Sequence, residues 1–156
     1  MKTLKTIITA TVMLFALTSS QQTQAQTKEE TIAWIKEKLE KSTVFETGST
    51  LGTWSNFTIK NIEPCSIVIE YKYTSPKGEV SDYVQTLPTN NVNIDEVGRL
   101  IYTSEVVLDK NISKGKNSFV SKSEFGIVKN EPDLRNRFLK ALNHLATFCV
   151  EKKEAF

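Results

Sequence analysis

The most reactive residue types in this 156-residue sequence meet near its end, where RFLKALNHLATFCVEKK (Arg137 to Lys153) carries the only histidine, His144, and one of two cysteines, Cys149. A thiolate beside an imidazole is a nucleophile with its base. The two residues lie five apart in a segment of helical periodicity, which sets their side chains about 140° apart around the axis. His144 falls on a polar arc with Arg137, Lys140 and Glu151, while Cys149 falls among the apolar side chains. The spacing therefore predicts no dyad. A single histidine also cannot supply the three or four converging ligands of a zinc site, so no metal and no cofactor is expected.

Other near-motifs fail for stated reasons. GSTLG (Gly48 to Gly52) approaches the serine-hydrolase elbow but has Thr50 at the nucleophile position and follows a helical pattern where a strand is required. NVNIDEV, from Asn91, begins like a calcium loop, yet Glu96 stands where glycine is needed and Tyr102 where a bidentate glutamate should close the site. Paired carboxylates are the remaining catalytic constellation, with Glu63, Asp82, Asp95, Glu96 and Glu105 as the acids that would have to converge. Nothing in their spacing selects a pair. No catalytic residue is expected.

The elements that would position these groups are of two kinds. TKEETIAWIKEKLEK opens with Thr27 and Glu30 in capping-box spacing and carries the stripe Ile32, Ile35 and Leu39. Trp34 lies off that stripe, which makes it either a contact with a second surface or a partly exposed ring. From about Thr53 to Val128 the period becomes two, with turn residues at Glu63-Pro64, Ser75 to Gly78, Leu87 to Asn91 and Ser113 to Asn117, which predicts six or seven antiparallel strands. In CSIVIEYKY, Cys65, Ile67, Ile69, Tyr71 and Tyr73 share one face. LIYTSEVVL reads as one strand with Leu100, Tyr102, Val106 and Leu108 on one side. A long closing helix is announced by Asn130 as cap, Pro132 in the first turn and Asp133 near the positive end. Its broad apolar face runs from Leu134 and Phe138 through Leu142 and Leu145 to Phe148 and Cys149.

The start of the chain reads as a secretory signal peptide, residues 1–25: Lys2 and Lys5, an apolar run from Ile7 to Leu17, then a polar tail ending at Ala25. That run is about half of the ~20 residues a membrane span needs, so no span is expected after cleavage. Residues 26–156 form the expected single α+β domain. Cleavage removes Lys2 and Lys5 and no acid, leaving 18 basic and 18 acidic residues. A neutral chain with scattered cations does not fit nucleic acid, which demands clustered Lys and Arg. In an extracytoplasmic compartment, periplasmic or secreted, Cys65 and Cys149 become a disulfide candidate, with two buried free thiols as the alternative. Either way they are structural.

ETIAWIKEKLE near the start, the strand with Cys65, and the closing LRNRFLKALNHLATFCVEKKEAF together resemble small uncharacterised exported proteins of Gram-negative bacteria. The resemblance carries no activity and no site residues. For the fold, strands before one broad-faced helix predict an α+β architecture in which a bent antiparallel sheet, or partly open barrel, is preceded by a short helix and closed by a long C-terminal one. Such an arrangement is similar to the pleckstrin-homology type, with a helix-grip fold as the runner-up. The function that follows is a noncatalytic envelope module binding a protein, peptide or small ligand. The alternative is a small hydrolase or a lipid carrier with a pocket between sheet and C-terminal helix.

Overall fold

The computed structural model describes residues 26–45, 50–127 and 133–150. The expected signal peptide, the helix-start residues Asn130 and Pro132, the first two residues of GSTLG and the tail from Glu151 lie outside the described residues. Helix α1 (Lys28–Ser42) leads into β1 (Thr43–Phe45), β2 (Thr53–Glu63), β3 (Ser66–Thr74), β4 (Val80–Pro88) and β5 (Val92–Ile94). Then come β6 (Arg99–Tyr102), β7 (Val107–Asn111), β8 (Lys116–Val120), β9 (Lys122–Ile127) and helix α2 (Leu134–Ala146). The strands form two antiparallel sheets, one in the order β1-β9-β6-β5 and one in the order β2-β3-β4-β7-β8. They do not join into a closed barrel.

α1 begins where the sequence says it should. Glu30 N–H donates to Thr27 Oγ1 at 3.2 Å and Thr27 N–H donates to Glu30 Oε2 at 2.8 Å, so two amides that helix geometry leaves unpaired are satisfied reciprocally. Its inner stripe buries Thr31, Ile35 and Leu39. Trp34 is a contact with a second surface: its ring packs 6.1 Å from that of Phe138 on α2.

Three readings of the sequence are corrected. LIYTSEVVL is two strands in different sheets, because the chain leaves β6 at Tyr102, bends through residues 103–105 and enters β7 one position out of phase with the expected alternation. Val107 is thus fully buried while Val106 is exposed. α2 is also shorter than expected and ends at Ala146. The amides of Thr147, Phe148 and Cys149 bond three residues back, to His144, Leu145 and Ala146, which tightens the spiral and carries Phe148 and Cys149 off the apolar face. Finally, Cys65 lies in the β2–β3 turn behind Pro64, not on the strand, and is exposed.

Cys65 and Cys149 form the disulfide, with a Cα–Cα separation of 4.9 Å. The bridge fixes the end of α2 to the β2–β3 turn. The start of α2 is held separately, by Arg135, which donates to the carbonyls of Glu96 at 2.6 Å and Ile127 at 3.2 Å. That contact depends on Gly98, whose φ of +92° favours glycine and whose Cβ, if present, would stand 2.3 Å from the Ile127 carbonyl. Asp133 at the N-cap adopts a left-handed conformation and makes no side-chain cap bond; its carboxylate accepts from the Asn136 side chain instead.

Anchored in this way, α2 buries Leu134, Phe138, Ala141, Leu142 and Leu145 in one core with Ile35 and Leu39 of α1 and the inner residues of both sheets. The helices cover the end of the inter-sheet gap nearest the β2–β3 turn. Phe138, Leu142 and Leu145 are each 0% exposed there, so the space between sheet and C-terminal helix is filled with side chains.

Candidate functional site

The inner face of the five-stranded sheet changes chemistry row by row along its strands. Register pairs Ile67 with Leu87 near the β2–β3 turn, then Ile69 with Gln85 and Asp109, then Tyr71 with Tyr83 and Asn111, and last Tyr73 with Ser81. Strand alternation keeps these residues on one side, since all are separated by two in each strand. The oily rows lie under the helices. The aromatic and polar rows lie at the opposite end, where the gap opens.

At that opening Trp54, Tyr71, Tyr73, Tyr83, Asp109 and Glu124 line a cleft of about 150 Å³, to which both sheets contribute. The rings form a continuous layer. Tyr71 stacks on Tyr83 with centroids 5.3 Å apart and planes 2° from parallel; Tyr73 meets Tyr83 edge-on at 6.4 Å, and Trp54 lies 5.0 Å from Tyr73. The layer continues through Phe45, which lies 5.8 Å from Tyr71 and 5.9 Å from Phe57, which in turn lies 5.4 Å from Phe125. Phe125 and Tyr71 are buried, while Phe45, Phe57, Tyr73 and Tyr83 are half-buried, and the hydroxyl-bearing rings turn their polar handles to hydrogen-bond partners.

Every tyrosine of the cleft is locked through its hydroxyl. Tyr71 Oη donates to Asp109 Oδ1 at 2.9 Å, Tyr73 Oη donates to the Leu51 carbonyl at 2.9 Å, and Tyr83 Oη accepts from Asn111 Nδ2 at 2.9 Å. The rings are therefore held in place before any ligand arrives. Across the gap, the Glu124 amide donates to Gln85 Oε1 at 3.2 Å and ties β9 of one sheet to β4 of the other. Gln85 is fully buried and its Nε2 has no partner among the described residues, a costly arrangement for a polar group.

Burial pushes the Asp109 carboxyl above the usual aspartate value, and the Tyr71 hydrogen bond opposes that shift. Burial, reinforced by the neighbouring charge of Asp109, holds the Tyr71 phenol far above its ordinary value. It remains a proton donor across the physiological range. No lysine or arginine pairs with Asp109 among the described residues, whereas the outward acids Glu70, Asp82 and Asp95 have Lys60, Lys72 and Arg99 at 3.3, 3.5 and 2.8 Å.

Asp109 and Glu124 were not among the acids singled out from the sequence. Glu63, Glu96 and Glu105 are exposed, Glu63 accepts from Asn61 at 2.8 Å, and Asp82 and Asp95 are paired as above, so these five acids do not converge on the cleft. The signal for Asp109 was present in VLDKN, where Val107, Asp109 and Asn111 alternate, but two adjacent valines hid the phase. His144 is half-buried, with Nε2 2.7 Å from the Gln26 carbonyl and its ring edge-on to Phe148 at 5.1 Å. Among the described residues it makes no bond to an acid, and Cys149 is tied to Cys65 in the disulfide. A second, more open groove of about 430 Å³ lies there, lined by Gln26, Trp34, Arg137, Lys140, Ala141 and His144.

No family model, no curated protein and no solved structure matches this chain. The geometry of the cleft provides flat ring faces, a buried carboxylate, a second carboxylate from the facing sheet and donors fixed in direction. Among the described residues no helix is long and apolar enough to cross a membrane. The disulfide is compatible with an oxidising, extracytoplasmic setting.

Proposed function

We propose that the chain is an exported, noncatalytic binding module of the bacterial envelope that takes a small ligand, or one group of a larger one, in the aromatic cleft between its sheets. The observation that carries this reading is the preorganised ring layer of Trp54, Tyr71, Tyr73 and Tyr83 around Asp109 at the open end of an otherwise filled core. Concave aromatic surface with a few convergent polar groups is the usual form of a small-molecule site. Export is supported by the sequence pattern of residues 1–25 and by the Cys65–Cys149 bridge. The layout of strands followed by a packed terminal helix supports kinship with pleckstrin-homology-type exported proteins.

A carrier using a pocket between sheet and C-terminal helix is disfavoured by the side chains that fill that space. A hydrolase has one observation in its favour, because Asp109 and Glu124 line the same cleft and paired carboxylates are what glycoside hydrolysis uses. Calorimetry of the mature protein and of a Tyr83→Ala variant against small amines, saccharides and short peptides tests the binding reading. It expects heat of binding for one class that the variant loses, with no turnover of the bound compound. Binding that survives Tyr83→Ala removes the cleft from the account, and hydrolysis of a saccharide moves it to the second reading.

A further inference from the structure

Resting on the reading of the cleft as a binding site, we infer that it selects a cationic ammonium group, held against the faces of Trp54, Tyr73 and Tyr83 with Asp109 as its counter-ion. Two features point to that charge, and a third to a small head group.

The first is an uncompensated acid. Asp109 is 9% exposed and among the described residues has only the Tyr71 phenol as a side-chain partner, at 2.9 Å, with no basic side chain paired to it. A buried carboxylate without a cation is costly, and an incoming ammonium supplies the missing charge. The second is the wall. Ring faces carry the negative side of the aromatic quadrupole, so they attract cations and disfavour anions. Four such rings border one small space, which Glu124 also lines, an acid shared with a neighbouring cavity that holds Arg99 and Lys122. The third is size. About 150 Å³ lies below the ~300 Å³ at which pockets begin to enclose a drug-sized molecule, so the cleft receives a head group while the remainder of the ligand stays outside. The competing groove beside Trp34 has the opposite character, since Lys38 and Arg137 lie 5.8 and 5.5 Å from that indole and Lys140 lines the same space.

The test is an aromatic NMR titration of the mature protein with tetramethylammonium chloride, in parallel with neutral tert-butanol and anionic pivalate at matched ionic strength. The inference expects tetramethylammonium to shift the Trp54, Tyr73 and Tyr83 resonances, the other two probes to bind at least about tenfold more weakly, and Asp109→Asn to weaken the cation about tenfold while the protein stays folded by circular dichroism. Glu124→Gln, at a less buried position, provides the same test if Asp109→Asn does not fold, with a weakening of about threefold. Equal or tighter binding of tert-butanol or pivalate at those rings overturns the choice of charge and leaves the cleft standing. Cation binding unchanged in both variants also overturns it. If no probe moves the three resonances while one moves Trp34, both the inference and the cleft reading fail.

Discussion

Tyr71 in β3 donates its phenol proton to Asp109 in β7 at 2.9 Å, reaching diagonally past β4 to a residue 38 positions on. The bond ties the aromatic layer to the buried acid and opposes the burial that raises its pKa.

Tyr71→Phe should preserve the ring stack and remove the only side-chain donor that Asp109 has among the described residues. A hydrogen bond to a charged group is worth about 1.5–3 kcal/mol, and the substitution should cost that much in urea unfolding at neutral pH. Below the titration of Asp109 the loss should shrink toward the value for a neutral pair.

The pH dependence has a definite sign. Asp109 has a folded pKa raised by burial, so between its ordinary value near 3.8 and the raised one the native state holds more protons than the unfolded chain. Its contribution to stability is therefore greatest in acid and falls as pH rises through that window. Asp109→Asn removes the titration, and its stability relative to the parent should improve as pH rises through that window and level off above it. A relative stability that instead worsens with pH would show that Asp109 is paired with a cation in solution.

The Cys65–Cys149 bridge closes a loop with a sequence separation of 84 and joins the end of α2 to the β2–β3 turn. On the chain-entropy model its removal in a Cys65→Ser, Cys149→Ser double variant should cost about 4.5 kcal/mol. Intact mass should fall by two hydrogens relative to the reduced chain. Alkylation of both sulfurs without reductant would contradict the bridge.

Phe138 is 0% exposed between α1 and the sheets, and Phe138→Ala should cost about 3–5 kcal/mol through lost burial and a residual cavity. Ligand binding at the far end of the gap should be unchanged at a temperature where the variant is folded. A loss of affinity with stability intact would mean that the helix end belongs to the site.

Local order was legible in the sequence and long-range order was not. Thr27 and Glu30 announce α1 because a capping box lies within four residues. Ile67, Ile69 and Tyr71 announce the inner face of β3 because alternation is local too. The phase of β7 escaped because Val106 and Val107 are equally apolar, and only pairing of Leu108 with Thr86 decides which of them turns inward. The cleft escaped for the same reason: Trp54, Tyr73, Tyr83, Asp109 and Glu124 come from five strands, and nothing in their spacing brings them together. The contact of His144 with Gln26, 118 residues distant, has no local signature.

The central claim is that ligand enters at the tyrosine end and nowhere else along the inter-sheet gap. Backbone and side-chain chemical-shift mapping of the mature protein, with whichever compound calorimetry identifies, tests it directly. The account predicts perturbations centred on Trp54, Tyr73, Tyr83 and Glu124, with Leu142 and Leu145 unmoved. Perturbations centred on Trp34, Arg137, Lys140 and His144, or on the buried face of α2, would contradict it.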